Sequence, residues 1–547
     1  MAIKRIILAA VSGLLMTAAF PKVGMDWLIW VAIVPVLAAV SNSSRISAFA
    51  LGFICGLVHH LTLEYWVVNT MRTFGGLHFF PAILILILFA SYLGIYVGIF
   101  SYILSSLCKT PVKCLVISPF LWVALEYVRS FLFTGFPWEF VGCSQFKHLY
   151  LIQISNISGV YGLSFIIIFS NAVLFFLYQH LRKKKWHGEL VSRTVVVRAG
   201  VVLVCLLAGN LLYGKWSVNC TDREIDGAQK KRVSVIQGNI AQNEKWSSDA
   251  RNKITEKYIR LSEQAGKDAT DLPSNFPPDS PPDSPLDSLP DMIVWPEAAM
   301  PFVFQLHQGP TKQVKQMVRK MKTFLLAGGP YVEKNGEDIA YYNSAWLIGP
   351  DGDVKGRYDK SHLVPFGEYV PLRQWLPFVG KIIEQIGDMS PGRDIKPLHT
   401  GERQTDPITG PLVIGPLVCY EGIFSDLSGK MASRGAQFLV NITNDAWYGT
   451  SSAPYQLFSM SVFRAVETKR SLVRAANTGI SGFIDPAGRI TGSTKLFENA
   501  VMTRDIPILN TKTLYAAWGD VFGIACTFFT FAGLIFLMTW RRKQNVN

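Results

Sequence analysis

A chain of 547 residues, 50% hydrophobic and only 17% charged, with a mean hydropathy of +0.26, does not read as a soluble single-domain enzyme. Its formal net charge of +14 calls for no nucleic acid, because much of it sits in short basic segments beside apolar ones, where cations meet anionic lipid. Apolar residues crowd 1–214 and 515–540, while 215–514 has the composition of a globular domain.

In chain order, apolar segments at 4–20, 27–41, 47–68, 81–107, 112–128, 160–181, 197–213 and 517–540 predict eight transmembrane helices, since ~20 apolar residues cross a bilayer as a helix. The first, second and fifth are short or interrupted. The first, behind Lys4 and Arg5, also begins like a signal peptide, but no clear cleavage site follows. Loop charges test the whole set. With a cytoplasmic N-terminus, fourteen Lys and Arg residues fall on the cytoplasmic side, and only Lys22, Arg72, Arg129 and Lys147 in the short loops opposite. That is the positive-inside bias; it puts both termini in the cytoplasm and 215–514 outside. The expected domains are 1–214 with seven helices, 215–514 as the external domain, and 515–547 with the eighth helix and a cytoplasmic tail. His59, His60, Glu64, Glu126 and Glu139 lie in or near the spans and receive no role. Glu64 and Glu139 are expected at the hydrated outer interface.

Six of the eight cysteines lie in or beside apolar segments, where a thiol is a small filler. Cys220 and Cys419 belong to the external domain, and no CxxC suggests a disulfide framework. A Cys220–Cys419 bridge is the bland alternative to a reactive thiol.

The external domain alternates β-like runs with amphipathic helices, the pattern of a layered α/β domain. Strands or hairpins are predicted at 232–240, 291–300, 323–332, 344–360, 411–422, 437–445 and 472–488, and helices at 311–322 and 455–470. The Pro-Pro-Asp-Ser repeats of 268–291 have no apolar periodicity, so that stretch reads as a disordered insertion.

Three ionisable residues end or follow apolar strands: Glu297 after MIVWP, Lys360 after GRYD, and Cys419 after IGPLV. Strand ends are where α/β folds present reactive groups to solvent while the sheet holds them in place. Each alone is a weak signal; the trio is stronger. A thiol is mostly protonated at neutral pH. A carboxylate within reach can take its proton as it attacks, and an ammonium can stabilise the thiolate and the resulting oxyanion. The nine histidines show no metal-ligand spacing, and GRITGSTK at 488–495 lacks the phosphate-binding GK[ST] ending. No metal and no cofactor is expected.

Glu, Lys and Cys in this order, with WPE, YDKSHLVPFGEYVP and CYE, resemble the nitrilase superfamily. Joined to a multi-span N-terminal region, they resemble its membrane-embedded branch, the apolipoprotein N-acyltransferases. VIQGNIAQNEKW, YNSAWLIGPDG, NITNDAWYG, AANTGISGFIDPAG and GFPWEFVGCSQ extend the likeness over nearly the whole chain. The insertion at 268–291 is the main departure. The resemblance implies an external αββα sandwich at the periplasmic face of a bacterial inner membrane, a phospholipid acyl donor, and a diacylglyceryl apolipoprotein acceptor. It implies Glu297 as general base, Lys360 as oxyanion stabiliser and Cys419 as acylated nucleophile. Glu368, Tyr420 and Glu421 match further residues needed for activity, and Trp246 matches a residue of a mobile loop.

A thioester on Cys419 would keep the acyl potential of the donor ester, so no nucleotide is required. Phe366, Trp375, Phe378, Trp447 and Tyr448 suit an interfacial lid that admits lipid tails and disfavours water. The chain is expected to act as a monomer. Two other readings stay open: a membrane-tethered nitrilase-like amidase or hydrolase, which uses the same triad with water as acceptor, and a transporter or receptor whose external domain only binds ligand.

Overall fold

Apolar segments with no water to bond satisfy their backbone groups along their own axes, and the N-terminal part of this chain is accordingly helical. The computed structural model describes residues 2–242, 245, 248–265, 289–336, 338–369, 389–401 and 411–546. Trp246, Trp375 and Phe378, and residues 268–288 of the Pro-rich stretch, lie outside the described residues. The chain divides into two compact units: Met1–Asn219, Ser451–Phe463 and Trp518–Asn547 in one, Cys220–Thr450 and Arg464–Ala517 in the other.

The first unit contains α1 (Ala2–Ala18), α2 (Val34–Val40), α3 (Arg45–Leu63), α4 (Trp66–Thr73), α5 (Phe79–Leu107), α6 (Pro111–Phe131), α7 (Val160–Leu181), most of α8 (Arg193–Asp226) and a C-terminal helix, Val521–Val546. Among the described residues five helices (α3, α5, α6 with its following turn, α7 and α8) are long and apolar enough to cross a membrane, against the eight expected. The other three segments are helical but shorter. Helix α1 has 17 residues and carries Lys4 and Arg5 near its start. Segment 27–41 is broken into a 3-10 turn, Asp26–Trp30, and the seven-residue α2. Pro35 explains the break, because its ring fits only the first turn of a helix. Asn171 of α7 satisfies the interrupted backbone, donating to Ile29 O and accepting from Ile33 N, each at 2.9 Å. In the C-terminal helix the apolar part is Val521–Phe536.

Helices α3 and α5 approach closely through small residues: a Cβ on Gly56 would lie 2.8 Å from Gly94 Cα. The unit's polar residues are buried rather than hydrated, contrary to the expectation for Glu64 and Glu139, which are 0% and 2% exposed. Each finds an internal partner instead. His60 Nδ1 lies 3.2 Å from Glu64, and Ser459 Oγ donates to Glu139 at 2.9 Å.

The second unit is built from two similar runs. The first is β1 (Lys230–Gln237), α9 (Ser248–Gln264), β2 (Met292–Val294), α10 (Gln308–Met321), β3 (Phe324–Asn335), β4 (Asp338–Ile348) and β5 (Val354–Asp359). After the short β6 (Leu398–His399), the second is β7 (Val413–Val418), α11 (Ser425–Ser433), β8 (Phe438–Thr443), α12 (Ala453–Thr468, whose residues up to Phe463 belong to the first unit), β9 (Ser471–Ala476), β10 (Gly482–Ile484) and β11 (Ile490–Ser493), and β12 (Ala500–Pro507) follows. They form two six-stranded sheets, ordered β12-β1-β2-β3-β4-β5 and β11-β10-β9-β8-β7-β6. In each, three parallel strands joined by helices run on into antiparallel hairpins. Strand β9 packs on β1, and β7 on β4, so the sheets face each other.

Helices α9 and α10 cover the first sheet because their apolar residues recur on one side. Val314, Met317, Val318 and Met321 of α10, with Ile254, Tyr258 and Leu261 of α9, bury against Ile293, Trp295 and Leu325. Helix α9 escapes a reading of the sequence because the rest of it is charged. Strand β12 does so because polar Thr503, Arg504 and Asp505 interrupt its apolar residues.

Across the second sheet, Arg474 of β9 pairs with Asp445, just after β8, at 2.9 Å, the two side chains 1% and 0% exposed. Removing one member leaves a charge stranded in the core. Arg474→Met should therefore lower stability by about 3–5 kcal/mol, read as a fall in the thermal unfolding midpoint of the detergent-solubilised protein. An Arg474→Met/Asp445→Asn double variant should recover part of the loss.

Candidate active site

Parallel strands open their carboxyl ends toward a site, and three of the expected residues follow such ends or the hairpin beside them. Glu297 lies three residues past β2. Trp295 N donates to Leu326 O at 2.8 Å, and Gly328 N to Pro296 O at 3.2 Å, so the chain leaving β2 stays bound to β3. Gly328 is required there: a Cβ would meet Glu297 Cα and Pro296 O at 2.6 Å. The Glu297 carboxylate accepts from Asn343 Nδ2 at 2.7 Å and from Asn444 N at 2.8 Å.

Lys360 directly follows β5 and is 1% exposed. Its Nζ lies 2.8 Å from both oxygens of Glu368 and 3.9 Å from Glu297 Oε1. Burial alone would depress this ammonium, but Glu368, Cys419 and Glu297 outweigh it and hold Lys360 above its ordinary pKa. Asn343 Nδ2 also donates to Glu368, at 3.0 Å, so one amide bridges the two carboxylates.

Cys419 directly follows β7, opens a single 3-10 turn, and has φ of 54°. A non-glycine residue in that region is held there by its surroundings. Here Asn441 Nδ2 donates to the carbonyls of both Leu417 and Cys419, at 3.1 and 3.2 Å. The thiol is free, as is Cys220, and no disulfide joins them. Burial first, then the negative charge of Glu297, push the Cys419 thiol above its ordinary pKa, against the pull of Lys360 and Thr443. A thiol raised in this way rests protonated.

Glu421 ties the nucleophile to the lysine. One oxygen accepts from Tyr358 OH at 2.8 Å, Ser361 N at 2.7 Å, Ser361 Oγ at 2.8 Å and His362 N at 3.1 Å, and the other from Val418 N at 2.8 Å. A single buried carboxylate thus braces the loop of Lys360 against the turn of Cys419. Tyr420 is buried, with its ring edge-on to Phe424 at 5.1 Å. Phe366 lies two residues before Glu368, 44% exposed at φ of 60°, and Trp447 is half-buried in the turn after β8.

Three residues that sequence reasoning passed over complete the set. Asn343 and Asn444 hold the Glu297 carboxylate. Lys245, 0% exposed, donates from Nζ to Glu297 O at 3.2 Å. One asparagine in a strand, one just past a strand and a lysine in a loop carry no periodic signal, although all three sit inside motifs quoted for the resemblance. Among the described residues no cluster of His, Cys, Asp and Glu is arranged to hold a metal ion. The arrangement provides a nucleophile, a base and a cation for acyl transfer to or from sulfur.

Comparison with known proteins adds to this geometry. The family described as apolipoprotein N-acyltransferase N-terminal domain matches residues 12–173, and the carbon-nitrogen hydrolase family matches residues 232–514. The apolipoprotein N-acyltransferase of Geobacter metallireducens is 40% identical over 538 residues, which is 98% of this chain and 96% of the relative. That of Methylococcus capsulatus is 30% identical over 550 residues, covering 100% and 97%. That of Chlorobaculum tepidum is 28% identical over 564 residues, covering 99% and 97%.

The charge around Cys419 predicts a shift whose sign is fixed. Because Glu297 raises the thiol, Glu297→Gln should let Cys419 ionise at lower pH, by about one unit or more. The rate of iodoacetamide alkylation of Cys419 against pH should move to lower pH in this variant.

Proposed function

We infer that this chain, which belongs to the apolipoprotein N-acyltransferase family, moves a fatty acyl group from a membrane phospholipid to the α-amino group of an apolipoprotein's N-terminal diacylglyceryl-cysteine. The acyl group travels as a thioester on Cys419. One observation carries the reading: a buried Cys419, braced through Glu421 to the loop of a Lys360 whose ammonium lies 3.9 Å from Glu297, in a chain with five helices, among the described residues, apolar enough to span a membrane. The fourteen-to-four loop charges support an inner-membrane protein with cytoplasmic termini and a periplasmic catalytic domain.

In the first half-reaction Glu297 accepts the Cys419 proton as sulfur attacks the ester carbonyl. Asn343 and Asn444 aim its oxygens, while Lys360, fixed by Glu368, stabilises the oxyanion. The C–O bond breaks, Glu297 returns the proton to the leaving glycerol oxygen, and lysophospholipid departs. In the second, the free amine attacks the thioester. The C–S bond breaks, and the N–H proton passes through Glu297 to sulfur. An acceptor arriving as ammonium first loses one further proton to solvent. Glu421 and Tyr420 keep the turn of Cys419 in place, and Phe366 and Trp447 contribute apolar cover that favours a lipid amine over water. The ester-to-thioester step is slightly uphill and the thioester-to-amide step strongly downhill, so the overall exchange of an ester for an amide runs without a nucleotide.

Full-length protein incubated with phosphatidylethanolamine alone should show an acyl adduct on the Cys419 peptide by mass spectrometry. Cys419→Ala should show none, and Glu297→Gln should slow its appearance by ~10²–10⁴-fold. Adding a diacylglyceryl-cysteine peptide should discharge the adduct into acylated peptide. Release of free fatty acid instead would make the protein a hydrolase.

A further inference from the structure

Lys245 is the second buried lysine of the site. Its loop is fastened at the ends of other strands: Asn444, after β8, donates from Nδ2 to Gln242 Oε1 at 2.7 Å. Asn477, after β9, donates to Ile240 O at 2.8 Å and accepts from Ile240 N at 2.9 Å. These bonds deliver a lysine with no solvent exposure to the backbone oxygen of Glu297. Among the described residues its hydrogen-bond partner is that carbonyl, which compensates a buried ammonium poorly, so charges nearby bear on it.

Those charges can be named. Glu297, past β2, and Cys419, past β7, both act on Lys245. Beyond them Lys360 is held by Glu368, Asp445 is neutralised by Arg474, and the Tyr448 hydroxyl also feels Cys419 and Glu297. On its own loop Ile240, Ala241 and Gln242 carry no charge, and Glu244, directly before it in sequence, lies outside the described residues. Glu297 and Glu368 are two negative charges against the single positive charge of Lys360, and both oxygens of Glu368 already hold that ammonium. Lys360 lies 3.9 Å from Glu297 but 2.8 Å from Glu368, so Glu297 is the more weakly compensated of the two just where sulfur and then oxygen must become negative.

We propose that the Lys245 ammonium is a second counter-charge, a positioning residue seated on Glu297 that lowers the energy of the thiolate and oxyanion formed at Cys419, so that acylation needs both lysines. This rests on reading Cys419 as the nucleophile.

The two lysines differ in how they titrate. Burial pulls Lys245 down to about 8, with Glu297 and Cys419 opposing, whereas Lys360 is held above its ordinary value. Lys245 therefore carries its charge below about pH 8 and loses it above, while Lys360 keeps its own. Acylation should fall as pH rises through that value.

The test follows adduct formation on the Cys419 peptide in full-length protein from about pH 6 to about pH 9.5, with p-nitrophenyl butyrate and, separately, phosphatidylethanolamine in mixed micelles. Only the first half-reaction is followed, so titration of the acceptor amine does not enter. Wild type should show a falling limb near pH 8. Lys245→Arg, which stays charged, should keep the neutral-pH rate within about 3-fold and lose the limb. Lys245→Met should acylate ~10–100-fold more slowly at neutral pH, without a limb. Absence of the limb in wild type overturns the proposal. So does an equal slowing by Arg and Met at every pH with the limb intact, which would mark Lys245 as packing only. If Lys245→Met fails to fold, wild type and Lys245→Arg decide alone. Should butyrate show the limb while phosphatidylethanolamine leaves Cys419 unmodified, the donor reading fails and the role of Lys245 stands.

Discussion

Charges removed from water must neutralise one another, and the catalytic unit is arranged around that requirement. Glu297, Glu368 and Lys360 are all substantially buried within bonding distance, with Asn343 donating to both carboxylates at once. An isolated member of such a set would shift its pKa and lose its charge. Held together, they form one network: a carboxylate with aimed oxygens beside an ammonium that its carboxylate neighbours hold above its ordinary pKa.

The fold meets this requirement through repetition. Two runs with the same alternation of strand and helix deliver Glu297 from one sheet and Cys419 from the other, each just past a parallel strand. Lys360 comes from the hairpin that extends the first run. Glu421 then fastens the lysine loop to the nucleophile turn with five hydrogen bonds to one carboxylate. Gly328 shows how little space remains, since one added carbon would displace Glu297. The positive φ of Cys419 is sustained by the Asn441 side chain behind it.

The helical unit obeys a different solvent. Its close helix pair depends on Gly56 meeting Gly94, and its broken segment depends on Asn171 supplying the bonds that Pro35 interrupts. Glu64 and Glu139 are paired internally, where charge near a helix end had suggested hydration. Segment hydropathy counts apolar residues; it does not register a side chain from another helix that completes a broken backbone.

Composition and pattern alone determined that the chain joins an apolar helical part to an α/β domain, and singled out Glu297, Lys360 and Cys419 as ionisable residues at strand ends. Those features are local: runs of apolar residues and ionisable groups at strand ends are written in neighbouring positions. Only the tertiary structure decided that segment 27–41 is a 3-10 turn and a short helix rather than one span, that Glu421 is a brace, and that Asn343, Asn444 and Lys245 converge on Glu297. Those are meetings between residues dozens to hundreds of positions apart, and single polar residues reveal such meetings only when the strands that carry them lie side by side.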